Sequence, residues 1–235
     1  MNYSPVSAIK ISAQDLHNNA CFYGQKSKNW HPKMAPYLFG KSQGIHIFDL
    51  NIMSEKLAEL LNRVSELASK GKSILFVSTK TQTRDILSQI KEETGMPVVS
   101  HKWFGGLLTN FETMKGRIAW MKKLREEFET GSISRYTKKE QSKYRKELDK
   151  LETALSGVED MTKTPDAIFV VDGFRDDIAV QEAKKLGAEV LGIADSNVNP
   201  DNYSYFVPAN DDSMQSISFI LGHVVTAFLT GKGSK

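Results

Sequence analysis

The chain has 235 residues, 40% of them hydrophobic and 25% charged, with a net charge of +3. That length and composition suffice for a substantial core in one large domain, or in one domain with an insertion. Its single cysteine, Cys21, excludes an intrachain disulfide and a cysteine-based zinc site. No uninterrupted run of eighteen apolar residues and no signal-like stretch is read, so a soluble protein of a reducing compartment is expected.

In chain order, Ile45 to Leu50 is read as a first strand. An amphipathic helix follows, with Met53, Leu57, Leu60, Leu61, Val64 and Leu67 on one face, Asn51 or Ser54 as its cap and Gly71 as its stop. Ser73 to Ser78 reads as a strand buried on both sides. Thr81 to Glu93 reads as a helix ended by Gly95 and Pro97, and Val98-Val99 as a short third strand.

The rhythm breaks at Gly105-Gly106. A helix over about Asn110 to Phe128 carries Phe111, Met114, Ile118, Met121 and Phe128 as a stripe. After Gly131-Ser132, Thr137 and Glu140 form a capping box for a second helix bearing Tyr144, Leu148, Leu151 and Leu155. The two stripes suggest an antiparallel coiled-coil hairpin that projects from the body.

Alternation then resumes. Ala167 to Asp172 is a strand, and Asp176 caps a helix with Ile178, Ala179, Ala183 and Leu186 inward, ended by Gly187. Val190 to Asp195 is a strand, and Phe206-Val207 add a short one. Asp212 or Ser213 caps the last helix, which Gly231 ends. The pattern predicts an α/β fold, a doubly wound parallel sheet with an inserted helical hairpin. Its expected parts are a basic arm (1–43), the α/β core (44–106 and 157–231), the hairpin (107–156) and a flexible tail (232–235).

Residues 1–43 carry five Lys/Arg against one Asp/Glu, and 107–156 carry twelve against eight. Residues 157–235 carry six against twelve. A basic front and an acidic back suit a polyanion bound on one side.

Nucleotide enzymes share such folds, so their motifs matter. Gly71-Lys72-Ser73 has Glu66 where a phosphate loop needs its first glycine, and Gly40-Lys41-Ser42 has Ala35 there. Neither G-x-G-x-x-G, G-x-S-x-G nor H-E-x-x-H occurs. None of His17, His31, His46, His101 and His223 stands at recognisable catalytic spacing from Cys21 and a carboxylate. Asp172, Asp195, Asp201, Asp211 and Asp212 fall at or after strand ends, where carboxylates could hold magnesium or support phosphoryl chemistry. Capping of the last helix by Asp211 and Asp212 and turn chemistry at Asp195 explain them better, and a bound metal would be structural rather than catalytic. No enzyme activity, cofactor or metal is expected, and a phosphate- or nucleotide-handling enzyme is the alternative.

Three segments suit RNA. Lys26, Lys28, Trp30 and Lys33 lie in a proline-punctuated stretch, where lysines can meet phosphates and a ring can stack on a base. Trp30, Tyr37 and Phe39 could equally clamp that stretch to the body. Lys102, Trp103, Gly105, Gly106, Thr109 and Asn110 form a turn before a helix start, where backbone groups attract phosphate. Lys115, Arg117, Lys122, Lys123, Arg125, Arg135, Lys138, Lys139, Lys143, Arg145 and Lys146 form the hairpin's basic exterior.

The same segments resemble a known family. Trp30-His-Pro-Lys-Met-Ala-Pro-Tyr-Leu-Phe39, Phe76-Val-Ser-Thr-Lys80 and Trp103-Phe-Gly-Gly-Leu-Leu-Thr-Asn110 occur in order with Pro165 to Asp172 and Pro208 to Asp212. Together they are similar to the S2 family of small-subunit ribosomal proteins, in its bacterial form. The resemblance implies a flavodoxin-like core with a protruding coiled coil, bound to small-subunit ribosomal RNA between head and body. It also implies contact with other small-subunit proteins, including the large mRNA-binding one, for which the acidic Asp172, Asp176 and Asp177 are candidates. Neither a membrane partner nor an obligate homo-oligomer is expected. The chain departs from the family at Phe22-Tyr23-Gly24-Gln25, which replaces a His-x-Gly-His pattern, and at Asn29 and His31. That leaves any contact or metal role of those histidines without its residues.

Overall fold

The computed structural model describes residues 11–233. Its centre is a five-stranded parallel sheet of β4 (Ile74–Val77), β5 (Val98–Val99), β6 (Ala167–Val170), β7 (Glu189–Ala194) and β8 (Tyr205–Pro208). The order β5-β4-β6-β7-β8 is 2-1-3-4-5 by first appearance, the flavodoxin-like order. Side chains alternate across it. Phe76, Phe169, Leu191, Ile193 and Val207 join one buried cluster, while Leu75, Val77, Ile168, Val170 and Val190 join the other. Both faces are thus covered, as strands with every residue buried require.

On the first face lie α2 (Leu50–Ser69) and α7 (Met214–Gly233), with α3 (Arg84–Thr94) beside them. The predicted stripe of α2 is buried throughout. α7 is long and apolar enough to cross a membrane by length and composition, and here its Ile217, Ile220, Leu221, Val224 and Phe228 are packed into the core. On the second face lie α6 (Asp177–Leu186) and the successive helices α4 (Phe111–Glu129) and α5 (Lys138–Leu155).

A separate three-stranded antiparallel sheet, order β1-β3-β2, joins β1 (Tyr23–Lys26), β2 (Leu38–Ser42) and β3 (Ile45–Phe48), after the short α1 (Ala13–Asn18). The expected first strand therefore belongs here and not to the parallel sheet. Its burial alternates, as an antiparallel strand with one covered face does. The stretch expected to be non-helical contains a 3-10 helix over Pro32–Tyr37.

Several caps differ from expectation. Asp49, not Asn51 or Ser54, caps α2 by accepting from the Asn51 and Ile52 N–H groups. Asn110 and Asp176 hold the N-cap positions of α4 and α6 without capping through their side chains. At α7 the Asn210 side chain, rather than Asp212 or Ser213, accepts from the backbone, taking the Asp212 and Ser213 N–H groups. In α6, Ala179 and Ala183 are buried as expected, but Ile178 and Leu186 are exposed. The Thr137–Glu140 capping box is present.

Gly231 does not end α7, which runs on through Lys232 to Gly233; residues 234–235 of the expected tail lie outside the described residues. A Cβ at Gly231 would fall 2.2 Å from the Ser65 carbonyl oxygen, so the missing side chain lets α7 approach α2. Gly192 serves the central sheet similarly, with its Cβ position 2.1 Å from the Val170 carbonyl oxygen. Gly192→Ala should therefore cost about 2 kcal/mol or more in urea unfolding. Gly222→Ala, in α7 with no atom within 4 Å of the added carbon, should be neutral or stabilise by up to about 1 kcal/mol.

Candidate nucleic-acid interface

α4 and α5 pack through Met114, Ile118, Met121, Leu124, Leu148, Leu151 and Leu155, which continue the cluster on the second sheet face. Some of their acids are held internally, whereas Glu126, Glu129 and Asp149 are exposed. Glu147 accepts from the Trp120 indole, Glu152 and Glu159 both hold Arg125, and Glu127 holds Arg135. Glu140 is engaged in the capping box, its carboxyl held below its usual range by the Thr137 N–H and hydroxyl.

Outside, Lys139, Lys143, Lys146 and Lys150 follow at helical spacing, and all four are exposed. Lys150 was not among the expected residues. Among the described residues none of these four, nor Lys138 or Arg117, makes a salt bridge. The remaining expected cations are engaged to differing degrees. Lys115 pairs with Glu112 at 2.7 Å and Lys122 approaches Asp160 at 3.8 Å. Lys123 lies over Trp120 and Arg145 over Phe128.

The turn before α4 divides into an outer and an inner part. Lys102, Gly105 and Asn110 are exposed. Trp103 is buried, so its ring is not available for stacking. Its indole, the N–H groups of Gly106 and Thr109 and the Thr109 hydroxyl all donate to Glu182 of α6, a residue the sequence reading missed.

The amino-terminal segment is laid on the body. The His31 N–H donates to the Ser196 carbonyl at 2.7 Å, and Tyr37 meets Phe206 edge-on. Trp30 packs against His46 at 4.9 Å with the Lys41 ammonium over its ring, so the clamp reading fits it better than stacking. Phe39, the third proposed clamp, is instead 79% exposed. Lys26 and Lys28 are exposed, whereas Lys33 pairs with Asp201.

Behind this interface, at the carboxyl ends of the parallel strands, lies an acidic hub. Lys80, also missed, buries its ammonium among Asp172 (3.0 Å), Asp211 (2.8 Å) and Asp212 (2.9 Å), and reaches the Asp211 carbonyl. Burial alone would lower its pKa, but the surrounding carboxylates outweigh that and raise it. Gln25, at one of the departures from the family, donates its amide to both Asp195 and Asp212. Asp176 is buried and accepts from the Thr79 N–H and hydroxyl. Of the three acids proposed for a protein contact, only Asp177 is exposed. Asp195, Asp211 and Asp212 bring one oxygen each within 4.8 Å of one another, a spacing that could hold a cation. Lys80 and Gln25 already engage all three.

Burial drives the Asp195 and Asp211 pKa values up, and for Asp211 the neighbouring Asp195 and Asp172 add to it. A carboxyl raised in the folded state stabilises at low pH. That contribution is lost as pH climbs from the ordinary 3.8 through neutrality. Thermal stability should therefore fall between about pH 4 and about pH 8, and Asp211→Asn should lessen that fall. An undiminished slope in the variant would place its source elsewhere.

Comparison with known sequences agrees with this architecture. A profile of the family described as Ribosomal protein S2 matches residues 16–231. A small ribosomal subunit protein uS2 from Psychrobacter cryohalolentis is 40% identical over 223 residues, covering 95% of this chain and 84% of that protein. Proteins of the same name from Fusobacterium nucleatum and Acinetobacter baylyi are 40% and 38% identical over 222 residues, each covering 94% of this chain and 90% and 89% of their own lengths. With the profile spanning nearly all described residues and the relatives aligned over most of both chains, the chain belongs to the ribosomal protein S2 family.

Proposed function

We propose that this protein holds small-subunit ribosomal RNA through the lysine-rich exterior of α4 and α5, and through Lys26, Lys28 and Lys102. It is a structural constituent of the small subunit of the cytoplasmic ribosome, supporting assembly and translation, and not an enzyme. The observation that carries the RNA reading is the row Lys139, Lys143, Lys146 and Lys150, exposed and without salt bridges among the described residues, while Glu147 and Glu152 on the same helix are taken up by internal contacts. Unpaired cations at that spacing offer a track for successive phosphates.

We read α4 and α5 as the inserted antiparallel coiled-coil hairpin. The continuous seam supports this, and helices of 19 and 18 residues supply arms of roughly 30 Å. Residues 44–106 and 157–231 then form the α/β core and the segment before them a basic extension. Among protein partners, the large mRNA-binding subunit protein remains part of the proposal. Its contact is better assigned to exposed Asp177 than to Asp172 and Asp176, whose carboxylates are engaged internally. The enzyme alternative finds no support, because Asp172, Asp195, Asp211 and Asp212 are held by Lys80 and Gln25, and Asp201 pairs with Lys33.

Binding of the whole chain to small-subunit RNA should weaken steeply between about 50 and 200 mM salt. Reversing Lys139, Lys143 and Lys146 to Glu should weaken binding and lower the salt slope by about one for each phosphate no longer neutralised. An unchanged slope with normal incorporation into subunits would remove these helices from the interface.

A further inference from the structure

The turn from Trp103 to Thr109 resembles a receptor for an anion, and its anion comes from the protein itself. Glu182 lies in the middle of α6 and is only 5% exposed. Its Oε1 accepts from the Trp103 indole at 3.0 Å and the Gly106 N–H at 2.7 Å. Its Oε2 accepts from the Leu108 N–H at 3.0 Å, the Thr109 N–H at 3.1 Å and the Thr109 hydroxyl at 3.1 Å. Five donors occupy a carboxylate that offers about four lone-pair directions, so the nest is full. Burial works against the charge, but these bonds outweigh it and hold the carboxyl below its usual range.

A ribosomal RNA phosphate therefore has no free backbone N–H to meet at Gly106, Leu108 or Thr109. What the turn can offer outward is Lys102, one residue before the anchored indole, and the start of α4, whose N-cap Asn110 is one residue after Thr109. Both are held by bonds to one side chain more than 70 residues away.

We propose that Glu182 is a positioning residue for RNA binding, filling the anion nest from inside and so fixing Lys102 and the first turn of α4 where the polyanion meets them. The proposal rests on the RNA-binding reading above. Charge matters as well as hydrogen bonding, because a glutamine amide would turn its own N–H donors toward donors.

The test uses the full chain with small-subunit ribosomal RNA. Wild type, Glu182→Ala, Glu182→Gln and Lys102→Ala are compared for RNA affinity, thermal stability and amide exchange at Gly106, Leu108 and Thr109. Glu182→Ala should speed exchange at those amides and weaken RNA binding about tenfold, the scale of losing a bond to a charged group. Acetate, added at constant ionic strength, should enter the vacated nest and restore both. Lys102→Ala should weaken binding with exchange unchanged and no response to acetate. A role in packing alone would lower stability without acetate-dependent recovery of RNA affinity, and that result overturns the proposal. So does wild-type affinity in a Glu182 variant whose turn amides have lost protection. Should Glu182→Ala fail to fold, Glu182→Gln keeps the side-chain volume and is judged by the same exchange and affinity comparison. Absence of salt-dependent binding by the wild type would instead sink the RNA reading itself.

Discussion

One buried ammonium organises the carboxyl edge of the sheet. Lys80 follows β4, Asp172 follows β6, and Asp211 and Asp212 follow β8, so a single cation ties three strand ends together. Gln25 extends the tie to Asp195 after β7 and brings in the antiparallel sheet. Such a cluster adds little net stability, because desolvating charges offsets much of their attraction. Its force lies in the asymmetry: losing one partner strands a buried charge, at a cost of roughly 3–5 kcal/mol. The arrangement therefore penalises any packing in which the amino-terminal segment or the last strand sits elsewhere.

That edge is where the architecture ordinarily offers a ligand crevice, at the point where strand order reverses. Here side chains of the protein occupy part of that crevice, and a cavity of about 580 Å³ lined by Gln25, Trp30, Asp172, Asp211 and Asp212 remains beside them. Glu182 does the same on the other side of the sheet with opposite charge, occupying a nest of N–H groups that suits a phosphate. An ammonium among carboxylates and a carboxylate among donors pair most of these buried charges, while Asp211 Oδ2 is buried without a hydrogen-bond partner among the described residues.

Much of the fold was legible because it is written locally. The stripe of α2, the all-buried strands β4 and β6, the capping box at Thr137 and the left-handed glycines 95 and 187 each depend on residues within a few positions of one another. What was missed depends on distant partners. Asp176 stands at a helix start, but Thr79, 97 residues earlier, claims its carboxylate. Lys80 reaches residues more than 130 positions away. A faint signal for Glu182 did exist: it lies three residues after Ala179 and beside Ala183, a charged side chain on the apolar stripe of α6. The misassigned strand at Ile45 carried no such signal, since the structure buries His46 and Phe48 and leaves Ile45 and Ile47 half-buried.

The net charge of +3 conceals the feature that matters for a polyanion. Charges on a helical exterior usually cancel in i,i+4 pairs and leave a merely solvated face. In α4 and α5 that cancellation is broken by geometry. Glu127, Glu147 and Glu152 are drawn to Arg135, Trp120 and Arg125, and Glu140 is drawn to its own helix start. Lys139, Lys143, Lys146 and Lys150 are left exposed without a salt bridge among the described residues, and mobile counterions screen them. Each such counterion is available for release when a phosphate arrives, and that release supplies a salt-sensitive driving force. On the proposed reading, the internal pairing of Glu127, Glu147 and Glu152 leaves more of the external positive charge free to act on RNA.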